Sequence, residues 1–231
     1  IQTGEIYSGL LDKIISFCDN HNYTFEFKDN KYYGLPGEMD ETISLEGVKD
    51  YMQSICSHTP RDYQVQGVYD ALKYKRKLLL SPTASGKSLM IYSIVRYFVE
   101  QDKNILLIVP TTSLVEQMYK DFEEYGWKAS AHCQKIYGGK EKYQQADVTI
   151  STWQSIYKES KKWFEQFDVV IGDEAHLYKA KSLTGILTKL HNCKYRVGLT
   201  GTLDGSHTHK LVLEGLFGKC DKVTRTKDLQ D

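Results

Sequence analysis

Apolar residues near the start of the chain recur at helical spacing. Ile6, Leu10, Leu11, Ile14, Ile15 and Phe17 fall on one helical face, and the polar run Asn20-His21-Asn22 ends it. Tyr23-Thr24-Phe25-Glu26-Phe27 then alternates, which predicts a strand. Residues 34–40 read as a loop, and Ser44 opens a second short helix through Ile55. From Arg61 the rhythm changes. Short, continuously apolar runs at 77–80, 105–109, 148–150, 169–171 and 197–199 alternate with helical patterns, among them 86–99 and about 114–125. Strands that are apolar on both faces belong to a parallel sheet covered by helices. The predicted fold class is α/β. A small α/β module over residues 1–58 precedes a domain with a mainly parallel sheet over 59–231, with Pro60 at the junction.

Composition narrows the functional classes. The 231 residues are 41% apolar, enough for one ordinary domain with an attachment. Lys+Arg and Asp+Glu both number 30, so the net charge is zero. Contact with nucleic acid must then come from a local face or from backbone donors. Five cysteines (18, 56, 133, 193 and 220) show no C-x-x-C spacing. They read as reduced thiols with no zinc site. No apolar run reaches about 18 residues, so no transmembrane helix is expected. The first residue is Ile1 and no signal-peptide pattern follows, which reads as a chain trimmed at its N-terminus.

The chemistry starts at residues 81–88, SPTASGKS, between an apolar run and a helical pattern. This approximates the phosphate-binding pattern G-x-x-x-x-G-K-[ST], with Ser81 in place of the first glycine. The backbone of Thr83, Ala84, Ser85 and Gly86 would cradle phosphates at the helix N-terminus. Lys87 supplies a point charge for the β and γ phosphates, and Ser88 a hydroxyl ligand for Mg²⁺. A chance Gly-Lys-Ser at a helix start is the competing reading. Residues 168–176, DVVIGDEAH, weigh against it: an apolar strand ends in two adjacent carboxylates. Asp173 is suited to hold Mg²⁺, and Glu174 to orient and polarise the attacking water. In parallel sheets ligands bind at strand carboxyl ends, where both segments terminate.

Together these segments resemble the motifs of superfamily 2 helicases, with a DEAH-box-like motif II and a RecA-like P-loop domain. Arg61-Asp62-Tyr63-Gln64 resembles the adenine-reading Q motif; Gln64 would pair with the base edge, and Arg61 or Tyr63 would pack on its face. LLIVPTTSLVEQ, YGG, TISTWQS and GLTGT follow in the order of motifs Ia, Ib, the next DNA-contacting motif and motif III. FCDNHNY (17–23), WFEQF (163–167), LTGTLDG (199–205) and LFGKC (216–220) resemble the recombination and repair helicases of phages more closely. Motif III carries Gly201 where alanine is usual.

The resemblance implies an ATP- and Mg²⁺-dependent DNA helicase or translocase acting on branched or single-stranded DNA. It implies DNA contacts from Pro110, Thr111, Thr112, Gly138, Gly139, Ser151, Thr152 and Trp153, with Trp153 more readily a core residue than a base-stacking one. His176, Thr200 and Thr202 would couple nucleotide to DNA. It further implies a location in the host-cell cytoplasm and a C-terminal RecA-like partner domain in the parent chain. No motifs IV to VI are found in these residues, so weak hydrolysis is expected of them alone. Three alternatives stay open: a docking fragment without motor activity, an RNA- or R-loop-directed helicase, and a small-molecule P-loop kinase. Motifs Ia and III have no role in the last.

Overall fold

The structure is a computed structural model that describes residues 4–27, 39–82, 86–138, 145–203 and 207–223. In chain order, a 3-10 turn (Ser8–Leu10) leads into α1 (Leu11–Asn20), then α2 (Leu45–Ile55) and α3 (Asp62–Tyr74). The sheet begins with β1 (Arg76–Leu80), followed by α4 (Lys87–Val99), β2 (Ile105–Val109) and α5 (Thr112–Glu124). Next come α6 (Ala129–His132), β3 (Cys133–Ile136), β4 (Val148–Thr152), α7 (Trp153–Ile156) and α8 (Lys161–Phe164). The chain continues with β5 (Val169–Gly172), α9 (Ala180–Leu187), β6 (Tyr195–Thr200), α10 (His207–Leu216) and β7 (Cys220–Lys222).

Every strand pairing is parallel, in the order β3-β4-β2-β5-β6-β1-β7. All residues of β2, β4 and β5 are buried, as befits central strands with helices on both sheet faces. One face packs α2 to α5: Met52, Val68, Ile91, Val95, Val115 and Phe122 share a core with Ile105, Leu107 and Ile171. The other packs α7 to α10 around Leu106, Ile108, Val170 and Phe217.

The five expected strands form, extended by up to two residues at an end. The two edge strands, β3 and β7, went unpredicted because they are short and largely polar. Tyr23 to Phe27 form no strand, and Tyr23, Phe25 and Phe27 are exposed. Alternation alone does not make a strand when no partner strand among the described residues receives it. Of the expected loop at 34–40, residues 34–38 lie outside the described residues.

Described residues within 1–58 pack on the rest of the fold. The hydroxyl of Ser44 caps α2 by accepting the Gly47 N–H at 3.1 Å, and Val48 and Met52 enter the core of the first face. The turn before α1 lies against α10 so closely that a Cβ on Gly9 would fall 2.2 Å from the Glu214 carbonyl oxygen. Lys13 reaches the buried Glu214 carboxylate at 3.0 Å.

Candidate nucleotide site

β1, β5 and β6 deliver their C-terminal ends to one place. The loop after β1 leads into α4, and Lys87 opens that helix. Gly86 precedes it at φ +69°, a left-handed conformation that glycine adopts without strain. A side chain there would also collide with Gln64, whose Nε2 donates to the Gly86 carbonyl at 3.2 Å. The Gln64 Oε1 accepts the Arg61 N–H at 2.9 Å, closing the N-terminus of α3. The Q-motif glutamine is therefore buried and braces the loop, and Arg61 bonds the Tyr63 hydroxyl. Thr83, Ala84 and Ser85 lie outside the described residues.

Lys87 is brought to the two acids that end β5. Its ammonium hydrogen-bonds Glu174 Oε1 and lies 3.9 Å from Asp173 Oδ1. All three side chains are largely buried. Burial pushes the Asp173 carboxyl up to about 6; Lys87 pulls it down, Glu174 adds to the rise, and the Glu174 N–H bond to Asp173 lowers it. Glu174 adopts a left-handed backbone (φ +49°), uncommon for a residue with a side chain. That turn aims its carboxylate back at Lys87.

The other Glu174 oxygen meets the end of β6. Oε2 accepts the Gly201 N–H at 3.3 Å and lies 3.4 Å from His176 Nδ1. His176 Nδ1 is also 2.7 Å from Thr200 Oγ1, which donates to the Thr202 carbonyl at 2.7 Å. With the threonine proton used there, the Nδ1–H tautomer of His176 would donate to Thr200. His176 and Thr200 thus meet as expected. Thr202 enters through its carbonyl, and its side chain is exposed.

Ser88 bonds the Tyr125 hydroxyl at 2.7 Å, a partner with no sequence signal. Tyr178, also unsingled in the sequence, is buried, and its hydroxyl reaches the carbonyls of Ile108 and Asp173. Tertiary packing alone reveals these two tyrosines.

The residues expected at DNA differ in accessibility. Thr111 and Thr112 are exposed at the start of α5, which Thr111 caps by accepting the Leu114 N–H at 3.3 Å; Pro110 is buried. Gly138 is exposed at φ +55°, and Gly139 lies outside the described residues. Ser151 is fully buried with its hydroxyl on the backbone carbonyls of Ile136 and Thr152, so it presents nothing to a ligand. Thr152 is nearly buried and bonds Ser155 at 2.9 Å. Trp153 is half-buried and packs on the second core.

A buried lysine thus meets paired carboxylates at the carboxyl edge of a parallel sheet, where such sheets bind ligands. Residues 57–205 match the family described as type III restriction enzyme, res subunit. The chain belongs to this family. It is a RecA-like part of a superfamily 2 helicase. It is 36% identical to the ATP-dependent DNA helicase uvsW of Enterobacteria phage T4, over 96% of this chain and 46% of that protein. It is 28% identical to the DNA 3'-5' translocase XPB2 of Sulfurisphaera tokodaii, over 83% of this chain and 42% of that one. The chain thus spans about half the length of the curated relatives it matches. A crystal structure of the UvsW helicase from bacteriophage T4 superposes with a TM-score of 0.83 at 35% identity, covering 94% of this chain and 78% of the other. No helix among the described residues is long and apolar enough to cross a membrane.

Proposed function

We propose that this chain is the nucleotide-binding part of an ATP-dependent DNA helicase or translocase that remodels branched DNA in recombination and repair within the host cytoplasm. The observation that carries this reading is the buried Lys87 between Asp173 and Glu174, joined through Glu174 to Gly201 and His176. A purely phosphate-binding or docking domain has no use for the second acid or for its link to β6.

In this reading Lys87 and the backbone of residues 83–86 hold the β and γ phosphates. Gln64 and Arg61 bound the adenine side. Glu174 gives up Lys87 to the phosphates and turns its carboxylate to a water. The residues fit Mg²⁺. Among the described residues no group of three or more His, Cys, Asp or Glu could hold a metal. Mg²⁺, however, commonly takes one carboxylate, a hydroxyl, phosphate oxygens and water. Asp173 would supply the carboxylate and Ser88 the hydroxyl, which bonds Tyr125 here. Bound there, the ion would neutralise charge building on the phosphates. The exposed Thr111, Thr112 and Gly138 with neighbouring backbone N–H groups, and the edge of Trp153, would meet the DNA backbone. The parent's second RecA-like domain would close over the nucleotide, and residues 1–58 would act as an accessory module at a DNA junction.

The test is the ATPase rate of the parent protein with and without single-stranded and branched DNA. Stimulation by DNA that is lost in Lys87→Ala supports the reading, and a rate indifferent to DNA overturns it. Stimulation by RNA alone would favour the RNA-directed alternative.

A further inference from the structure

Tyr178 belongs to none of the helicase motifs, yet it lies beneath the nucleotide site. It follows His176 by two residues and is 2% exposed. Its hydroxyl is 2.7 Å from the Ile108 carbonyl and also meets the Asp173 carbonyl. The Ile108 carbonyl accepts the Asp173 N–H as well, at 2.9 Å. A phenol has one proton, so the hydroxyl serves two acceptors by sharing it or choosing between them. Burial, with the nearby Asp173 and Glu174 charges, keeps that proton in place by raising the phenol well above its ordinary range.

The Asp173 carbonyl lies in the turn that follows β5, and the Ile108 carbonyl lies in β2, one residue before that strand ends at Val109. Asp173 opens the acidic turn that faces ATP. Ile108 lies two residues before Pro110, where β2 leaves the sheet for the exposed Thr111 and Thr112. The ring is buried in the core of the second sheet face. The turn above it includes the left-handed Glu174, a conformation that costs energy and is held by its contacts. When Glu174 trades Lys87 for a water, those contacts change.

We propose that Tyr178 is a positioning residue that couples the acidic turn to the loop at residues 110–112, its shared hydroxyl making the Asp173 and Ile108 carbonyls move together. The inference rests on the reading of that loop as DNA-facing. It adds a second link, through β2, to the one that Glu174 and His176 make through β6.

The variant is Tyr178→Phe in the full parent protein, which keeps the ring and removes the shared donor. The readouts are ATPase rate with and without single-stranded DNA, and DNA affinity with and without a non-hydrolysable ATP analogue. The ratio of stimulated to basal turnover should fall about fivefold or more, and the analogue's effect on DNA affinity should shrink toward none. Analogue affinity should stay within about threefold. A purely structural role would instead lower the melting temperature and all rates together, with the ratio intact, and that outcome overturns the inference. Should Tyr178→Phe fail to fold, hydrogen exchange in the unaltered parent decides. Analogue binding without DNA should change protection at residues 110–114, and unchanged protection there overturns the proposal. A parent whose turnover ignores DNA removes the helicase reading itself, whereas stimulation that is equal in parent and variant removes only this link.

Discussion

At the scale of single residues, the site is a balance of one cation and two acids. Lys87→Ala leaves the buried Asp173 and Glu174 without their ammonium and the phosphates without a point charge. Turnover in the parent should fall by about 10²–10³ or more, with nucleotide affinity lost, as measured by a coupled assay and calorimetry. Glu174→Gln keeps the shape and an oxygen for the Gly201 N–H but loses the charge that polarises water. Analogue binding should survive while hydrolysis disappears; equal loss of both would make Glu174 a structural residue. The thiols give a separate check. Burial pushes Cys193 and Cys133 up to about 12, and Cys193 donates to the Phe167 carbonyl. At pH 8 both should resist iodoacetamide in the folded chain, while the half-exposed Cys18 reacts first, read by peptide mass. Their raised values also mean that stability is full below the ordinary thiol value of 9.0 and is lost as pH rises toward 12.

Much of that site was legible because its chemistry is local in sequence. Lys87 and Ser88 sit in one short segment, 81–88, and Asp173, Glu174 and His176 in another, 168–176. The fivefold recurrence of apolar runs said that both segments end parallel strands. What stayed hidden has no local signature. Tyr125 finds Ser88 from 37 residues away, and Tyr178 finds Ile108 from 70. Ser151 reads as an exposed hydroxyl in a polar tripeptide, but β4 runs on through Thr152 and buries it.

At the scale of elements, α2 is the instructive case. Its periodicity and its Ser44 cap were readable, but not what its apolar face would cover. Val48 and Met52 enter the same core as Val68 and Ile91 of α3 and α4. Met52→Ala should therefore cost about 2–5 kcal/mol, measured by denaturant unfolding. A truncation that removes residues 1–40 should leave that core closed, whereas one that removes 1–58 should open it. Comparing the two separates the junction-binding role proposed for the segment from packing. Loss of branched-DNA affinity with basal ATPase retained in the shorter truncation supports the role. The edge strands β3 and β7 went unread for the opposite reason. Residues such as Gln134, Lys135 and Asp221 give them no apolar run, because an edge can bear polar side chains that a central strand cannot.

At the scale of the whole molecule, residues 1–231 should bind Mg-ATP weakly, at about −4 to −6 kcal/mol, in the tens of micromolar to millimolar range. Turnover by these residues alone should be barely detectable and little changed by DNA. A transition-state arginine from a partner domain is worth about 10³–10⁵ in related phosphoryl transfers. Calorimetry and a coupled assay decide, and robust DNA-stimulated turnover would place a complete active site within these residues. The order of the sheet has a further consequence, for synthesis. β1 lies between β6 and β7, pairing Leu79 with Leu199 and with Asp221. The strand that feeds the phosphate loop is thus made long before either of its neighbours. A ribosome that has released the chain only as far as residue 190 holds β1 with neither edge satisfied, an apolar template open to wrong pairing. Nascent chains should stay protease-sensitive around residues 76–80 until β6 emerges, and then become protected within a short span of further elongation.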